Sequence, residues 1–82
     1  MMDATVAVKK LEVDARGLLC PLPVLRLARA LRAAPAGSLA RLLATDPAAA
    51  EDVATFCRER SCRLLESGES EGVYTFLVVK EA

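Results

Sequence analysis

The chain contains no histidine, and aromatic residues make up only 4% of its 82 positions. Without imidazole there is no Cys-His nucleophile pair, no Ser-His triad, no His general base and no His-ligated zinc. So few aromatics give no stacking platform for nucleic-acid bases. An excess of charge is missing as well: eleven Lys plus Arg stand against eleven Asp plus Glu, which excludes a dominant phosphate-binding surface. No segment approaches the ~20 apolar residues of a membrane span. The stretch 1–10 mixes Asp3 with two lysines and has no apolar run of the kind a secretory signal carries. The expected location is the cytoplasm. The three cysteines, Cys20, Cys57 and Cys62, form no CxxC, so neither a thioredoxin motif, a zinc knuckle nor a disulfide framework is written here. Their odd number leaves at least one thiol free.

What is present is a small, core-forming chain. At 82 residues and 54% apolar content it has room for one domain with a two-layer core, and any site must lie on its surface. The segment Val6 to Val13 alternates as a strand, but its apolar parity changes between Val8 and Leu11, which implies a bulge or a late strand start. After the turn-like Asp14-Ala15-Arg16-Gly17 and then Cys20-Pro21-Leu22-Pro23, a helix places Val24, Leu27, Ala28 and Leu31 on one stripe and Arg26, Arg29 and Arg32 on the other side. Pro35 and Gly37 close it, and Ser38 to Ala44 reads as a second strand. A second helix opens with Asp46 as N-cap and Pro47 at its first position, with Glu51 and Asp52 favouring its dipole. Its apolar stripe is Ala49, Val53, Phe56 and Cys57. Cys62 to Glu66 and Val73 to Val79 are two further strands joined across the polar stretch Ser67 to Gly72.

The order β-α-β-α-β-β predicts an α/β (α+β) two-layer sandwich, a four-stranded mixed sheet with both helices on one face and the other face open. Two right-handed crossovers make the first three strands most simply parallel and neighbouring. Tyr74, Phe76 and Val78 are expected to face the helices. Loops that leave parallel strands gather on one sheet edge, so Cys20 and Asp46 share an edge while Cys62 falls at the opposite one. A disulfide between Cys20 and Cys62 would have to cross the domain. Cys57 reads as a small core residue and Cys62 as a partly exposed bystander.

Cys20 is therefore the one cysteine placed for chemistry. Pro21 and Pro23 stand where a helix start needs no N–H, and the helix dipole together with Arg16 and Arg26 is expected to favour a thiolate. Asp46 needs no role beyond capping.

The stretch Asp14-Ala15-Arg16-Gly17-Leu18-Leu19-Cys20-Pro21-Leu22-Pro23-Val24, together with Thr45-Asp46-Pro47, Asp52-Val53 with Phe56, and the final strand Tyr74 to Lys80, resembles the TusA/SirA family of small sulfur-carrier proteins over residues 11–80. The resemblance implies a single domain of the same β-α-β-α-β-β fold and a sulfurtransferase that acts as a persulfide carrier. Cys20 would hold the sulfane sulfur covalently, with no other cofactor and no metal. Gly17, Arg16, Pro21, Pro23 and Asp46 would support it. It implies a cysteine desulfurase or rhodanese-like donor and a DsrE-like or other protein acceptor, in tRNA thiolation, molybdenum-cofactor maturation or sulfur oxidation. Where many members have Gly-His, this chain has Ser61-Cys62. A monomer is expected, with no membrane or nucleic-acid partner. The competing readings are a regulatory or RNA-binding module, which the three arginines of the first helix would serve, and a thiol redox sensor in which Cys20 is oxidised.

Overall fold

A computed structural model describes residues 9–81. Six elements follow one another: β1 (Lys10–Ala15), α1 (Leu22–Arg32), β2 (Leu39–Ala44), α2 (Ala49–Glu59), β3 (Cys62–Ser70) and β4 (Val73–Lys80). They form one four-stranded sheet in the order β1-β2-β4-β3, with α1 packed on β1 and β2 and α2 on β3 and β4. This is the expected two-layer sandwich. No helix among the described residues is long and apolar enough to cross a membrane.

The strand order departs from the expected neighbours. β1 and β2 pair in parallel, but β4 lies antiparallel between β2 and β3, so β3 runs in the same direction as β1 and β2 without touching β2. The reason lies in composition. β4, VYTFLVVK, is β-branched and aromatic and suits the interior, whereas the tail of β3, Glu66 to Ser70, is polar and exposed and suits an edge. The hairpin is also tighter than the six-residue connection read from sequence. Ser70 pairs with Val73, and the two residues between them, Glu71 and Gly72, both have positive φ, 52° and 83°, as a two-residue primed turn demands. Gly72 N–H donates to Glu69 Oε2 at 2.8 Å.

Of the bulge or late strand start expected in the first strand, the late start agrees with β1, which begins at Lys10. β1 and β2 pair in unbroken register from Lys10 with Leu39 to Ala15 with Ala44, Val6 and Val8 lie outside the described residues, and the sheet's register shift falls between Leu64 and Glu66 in β3. Small residues share the buried face of the parallel pair: Ala15, Ala40 and Ala44 are fully buried. Leu27 and Leu31 of α1, Val53 of α2, and Leu42, Phe76 and Val78 of the sheet fill the remaining space, and each such side chain contributes about 1.5–3 kcal/mol by leaving water. The stripe of α1 is rotated from the expected one. Pro23 is fully buried with Leu27 and Leu31, while Val24 and Ala28 are half-buried. Cys62 is 7% exposed, not a partly exposed bystander, because it opens β3 beneath the end of α2. Lys80 Nζ donates to the carbonyls of Leu31 and Ala34 at 2.8 and 2.7 Å and so closes the C-terminal end of α1.

Candidate functional site

The parallel pair fixes where the chemistry gathers. Chain leaving β1 reaches Cys20 and chain leaving β2 reaches Asp46, at the sheet end marked by Ala15 and Ala44. Gly17 makes the first turn possible: its φ is +84°, a conformation that L side chains resist, while Leu18 N–H reaches back to the Ala15 carbonyl at 3.2 Å. Gly17 N–H donates to Thr45 Oγ1 at 2.9 Å, and this bond ties the two loops together. Arg16 does not approach the sulfur. Its guanidinium grips Asp14 through Nε and Nη2, both at 2.9 Å, and with the Arg16 N–H this holds the Asp14 carboxyl at about 2. The positive charge of Arg16, and in part that of Arg26, thus serves Asp14.

Asp46 does more than cap. One carboxylate oxygen accepts the Ala48 N–H at 3.0 Å and the other accepts the Cys20 N–H at 2.6 Å, and these two bonds, the one to Ala48 contributing most, hold its pKa down. α2 begins at Ala49 with Ala48 as its boundary residue, two positions later than Asp46 as N-cap would give. The segment Pro47-Ala48 is a turn, and Asp46 bonds across it. The same side chain therefore starts α2 and clamps the backbone of Cys20.

Cys20 itself is exposed, and its thiol donates to Asp52 Oδ2 at 2.6 Å. This overturns the expected thiolate. The Asp52 hydrogen bond, partial desolvation, the Asp52 charge and the more distant Asp46 charge all raise the thiol above its ordinary value. Leu22 N–H is turned away to the Leu19 carbonyl at 2.8 Å. At neutral pH the site is a protonated thiol held against a carboxylate. Pro21 is exposed at the boundary of α1, whereas Pro23 belongs to the core, so the two prolines of the motif have separate tasks.

In the sequence Asp52 stood out as a charge in a helix's first turn and as part of the family resemblance, with no role beside the sulfur. The available signal was topological: a carboxylate one turn into α2 stands at the same sheet edge as Cys20. Leu19, Leu22 and Leu25, exposed by 71%, 47% and 55%, flank the cysteine in sequence and give its surroundings an apolar, unpartnered surface. Behind it a shallow groove between the helices runs past Pro21, Val24, Leu25, Asp52 and Phe56. The arrangement can present one sulfur atom to another macromolecule and control its proton.

Both the sequence and the fold have known relatives. The family described as Sulfurtransferase TusA matches residues 11–80. The chain is similar to the sulfur carrier protein TusA of Allochromatium vinosum, 41% identical over 69 residues that cover 84% of this chain and 91% of that one. It is also similar to the sulfur carrier protein TusA of Pseudomonas syringae pv. syringae, 37% identical over 71 residues, covering 87% and 84%. A crystal structure of a SirA-like protein from Desulfitobacterium hafniense shares the fold, with a TM-score of 0.66 at 23% identity, over 88% of this chain and 99% of that one. With the family match spanning both helices and all four strands, the chain belongs to the TusA sulfurtransferase family.

Proposed function

We propose that this protein carries sulfane sulfur as a persulfide on Cys20, receiving it from one protein and passing it to another. The observation that carries the reading is the placement of Cys20: its backbone is clamped by Asp46, and its exposed sulfur touches Asp52 alone among side chains hydrogen-bonded to it in the described structure. Its relatives carry the name sulfur carrier protein, which supports the same role here.

In the loading step the Cys20 thiolate attacks the terminal sulfur of a donor persulfide. A new S–S bond forms at Cys20 as the donor's own S–S bond breaks, and the donor departs as a thiolate. Asp52 keeps the thiol protonated until a partner displaces the contact or supplies positive charge. The sulfur is thereby kept from indiscriminate reaction while the carrier is free. Leu19, Leu22 and Leu25 form the apolar surface on which the partner docks. Donors of the cysteine desulfurase or rhodanese-like class and acceptors of the DsrE-like class fit this scheme.

Intact-mass measurement after incubation with a cysteine desulfurase and cysteine tests it. The wild type and the Cys57→Ser and Cys62→Ser variants should gain the mass of one sulfur atom, and Cys20→Ser should gain none. Persulfide mapped to Cys57 or Cys62 with Cys20 unmodified overturns the reading.

A further inference from the structure

The remaining two cysteines are not scattered. Cys57, in the last turns of α2, and Cys62, the first residue of β3, bring their sulfur atoms to 3.5 Å from each other. A disulfide needs about 2.0 Å, so closure asks for an approach of about 1.5 Å by two side chains that already face each other. The short connection between them keeps its own hydrogen bonds, Arg60 N–H to the Phe56 carbonyl and Cys62 N–H to the Arg60 carbonyl.

The pair lies far from Cys20. Cys62 pairs with Lys80, beside the Lys10, Leu39 and Val79 end of the sheet, and five strand steps of about 3.3 Å separate that end from the Cys20 edge, on the order of 17 Å. Access also differs within the pair. Cys57 is half-exposed and Cys62 is buried, which is the division between a thiol that meets a reagent and one that resolves the product.

We propose that Cys57 and Cys62 form a two-electron redox site that reacts with low-molecular-weight disulfides and closes to an intramolecular disulfide independently of Cys20. The Cys57 thiolate attacks one sulfur of the small disulfide, forms a mixed disulfide and expels one small thiolate. The Cys62 thiolate then attacks the Cys57 sulfur, forms the Cys57–Cys62 bond and expels the second small thiolate. The protein loses two electrons and two protons, the small disulfide gains both, and two small thiols are released. Burial, with Cys62 alongside, pushes the Cys57 thiol up to about 12. The first attack, by Cys57, is therefore slow at neutral pH and quickens as pH rises.

Oxidised glutathione is the probe, with alkylation of residual thiols and tryptic mapping as the readout. Cleavage at Arg58 and Arg60 separates the two cysteines, so closure joins fragment 42–58 to fragment 61–63. The expected result is this linked pair in both wild type and Cys20→Ser, with the intact chain lighter by two hydrogens. Cys62→Ala should trap glutathione on Cys57, and Cys57→Ala should leave Cys62 unmodified. Glutathione retained on wild-type Cys57 without the linked fragments, disulfides formed only between chains, or complete resistance of both thiols in the folded protein would each overturn the proposal.

Discussion

Replacing Asp52 by Asn keeps the size of the side chain but removes the negative charge from the acceptor 2.6 Å from the Cys20 sulfur. Because the Asp52 hydrogen bond is the largest cause of the raised thiol pKa and its charge a further one, the variant's thiol should ionise at lower pH. The kinetic consequence has two opposing parts. Below both pKa values the thiolate fraction rises by the full factor of the pKa change. A less basic thiolate is also a weaker nucleophile, with a Brønsted coefficient of about 0.4–0.5, so only about half of the logarithmic gain survives as rate. Above both pKa values the first part vanishes and the second remains, so Asp52→Asn should be slower than wild type by the other half. The two pH-rate curves must cross between the two pKa values. In a background of Cys57→Ala and Cys62→Ala, thiolate absorbance gives the pKa, and the rate of exchange with a small aromatic disulfide gives the curves. Asp46→Asn should move the pKa in the same direction but less, since the Asp46 charge is the smallest contribution. An unchanged or raised pKa in Asp52→Asn, or faster exchange at every pH, refutes the reasoning.

Lys80→Met retains the aliphatic stem and removes two charge-assisted hydrogen bonds to the end of α1; urea unfolding should show a loss of about 1–3 kcal/mol, equivalent to about 4–8 °C in Tm for each kcal/mol. Pro21→Ala should leave the unfolding midpoint nearly unchanged, whereas Pro23→Ala should lower stability by about 1–3 kcal/mol because Pro23 is a core residue; equal midpoints for the two would contradict the assigned packing. The raised pKa of Cys57 has a signed consequence for stability. Ionisation is disfavoured in the folded state, so the contribution is complete below the ordinary value of 9.0 and is lost as pH rises toward about 12. Urea midpoints measured across that range should fall more steeply for wild type than for Cys57→Ala.

The element order was legible because punctuation marks each boundary: Pro35 and Gly37 after α1, Asp46-Pro47 before α2, Gly72 in the hairpin. The strand order was not, since crossovers specify handedness and direction but leave open whether a later strand enters the gap between β2 and β3. That choice rests on the contrast between the apolar β4 and the polar tail of β3, a comparison between segments that no single window displays. At the site, Cys20, Gly17 and Asp46 could be placed from turn and cap chemistry. The protonation state of Cys20 could not, because it depends on a carboxylate 32 positions away and carried by the other helix. Pro23 was concealed by its residue type, for a proline in a helix's first turn already has a sufficient local explanation and its burial has no separate signature. Cys62 was hidden similarly: exposure follows from how α2 ends, and one residue of rotation decides it.

The position of β4 bears on how the chain matures during synthesis. Residues 10–44 supply a parallel strand pair with its helix, and residues 49–70 supply a helix and an edge strand, but no ladder joins these two halves until residues 73–80 emerge from the ribosome and insert between them. The tie from Lys80 to the end of α1 is made at that same late moment. The Asp46 clamp on the Cys20 backbone needs only residues 10–46, whereas the sheet against which α2 and its Asp52 are seated is completed only by β4. A ribosome-bound chain stalled before residue 73 therefore holds the loops after β1 and β2 side by side while α2 still lacks the completed sheet beneath it.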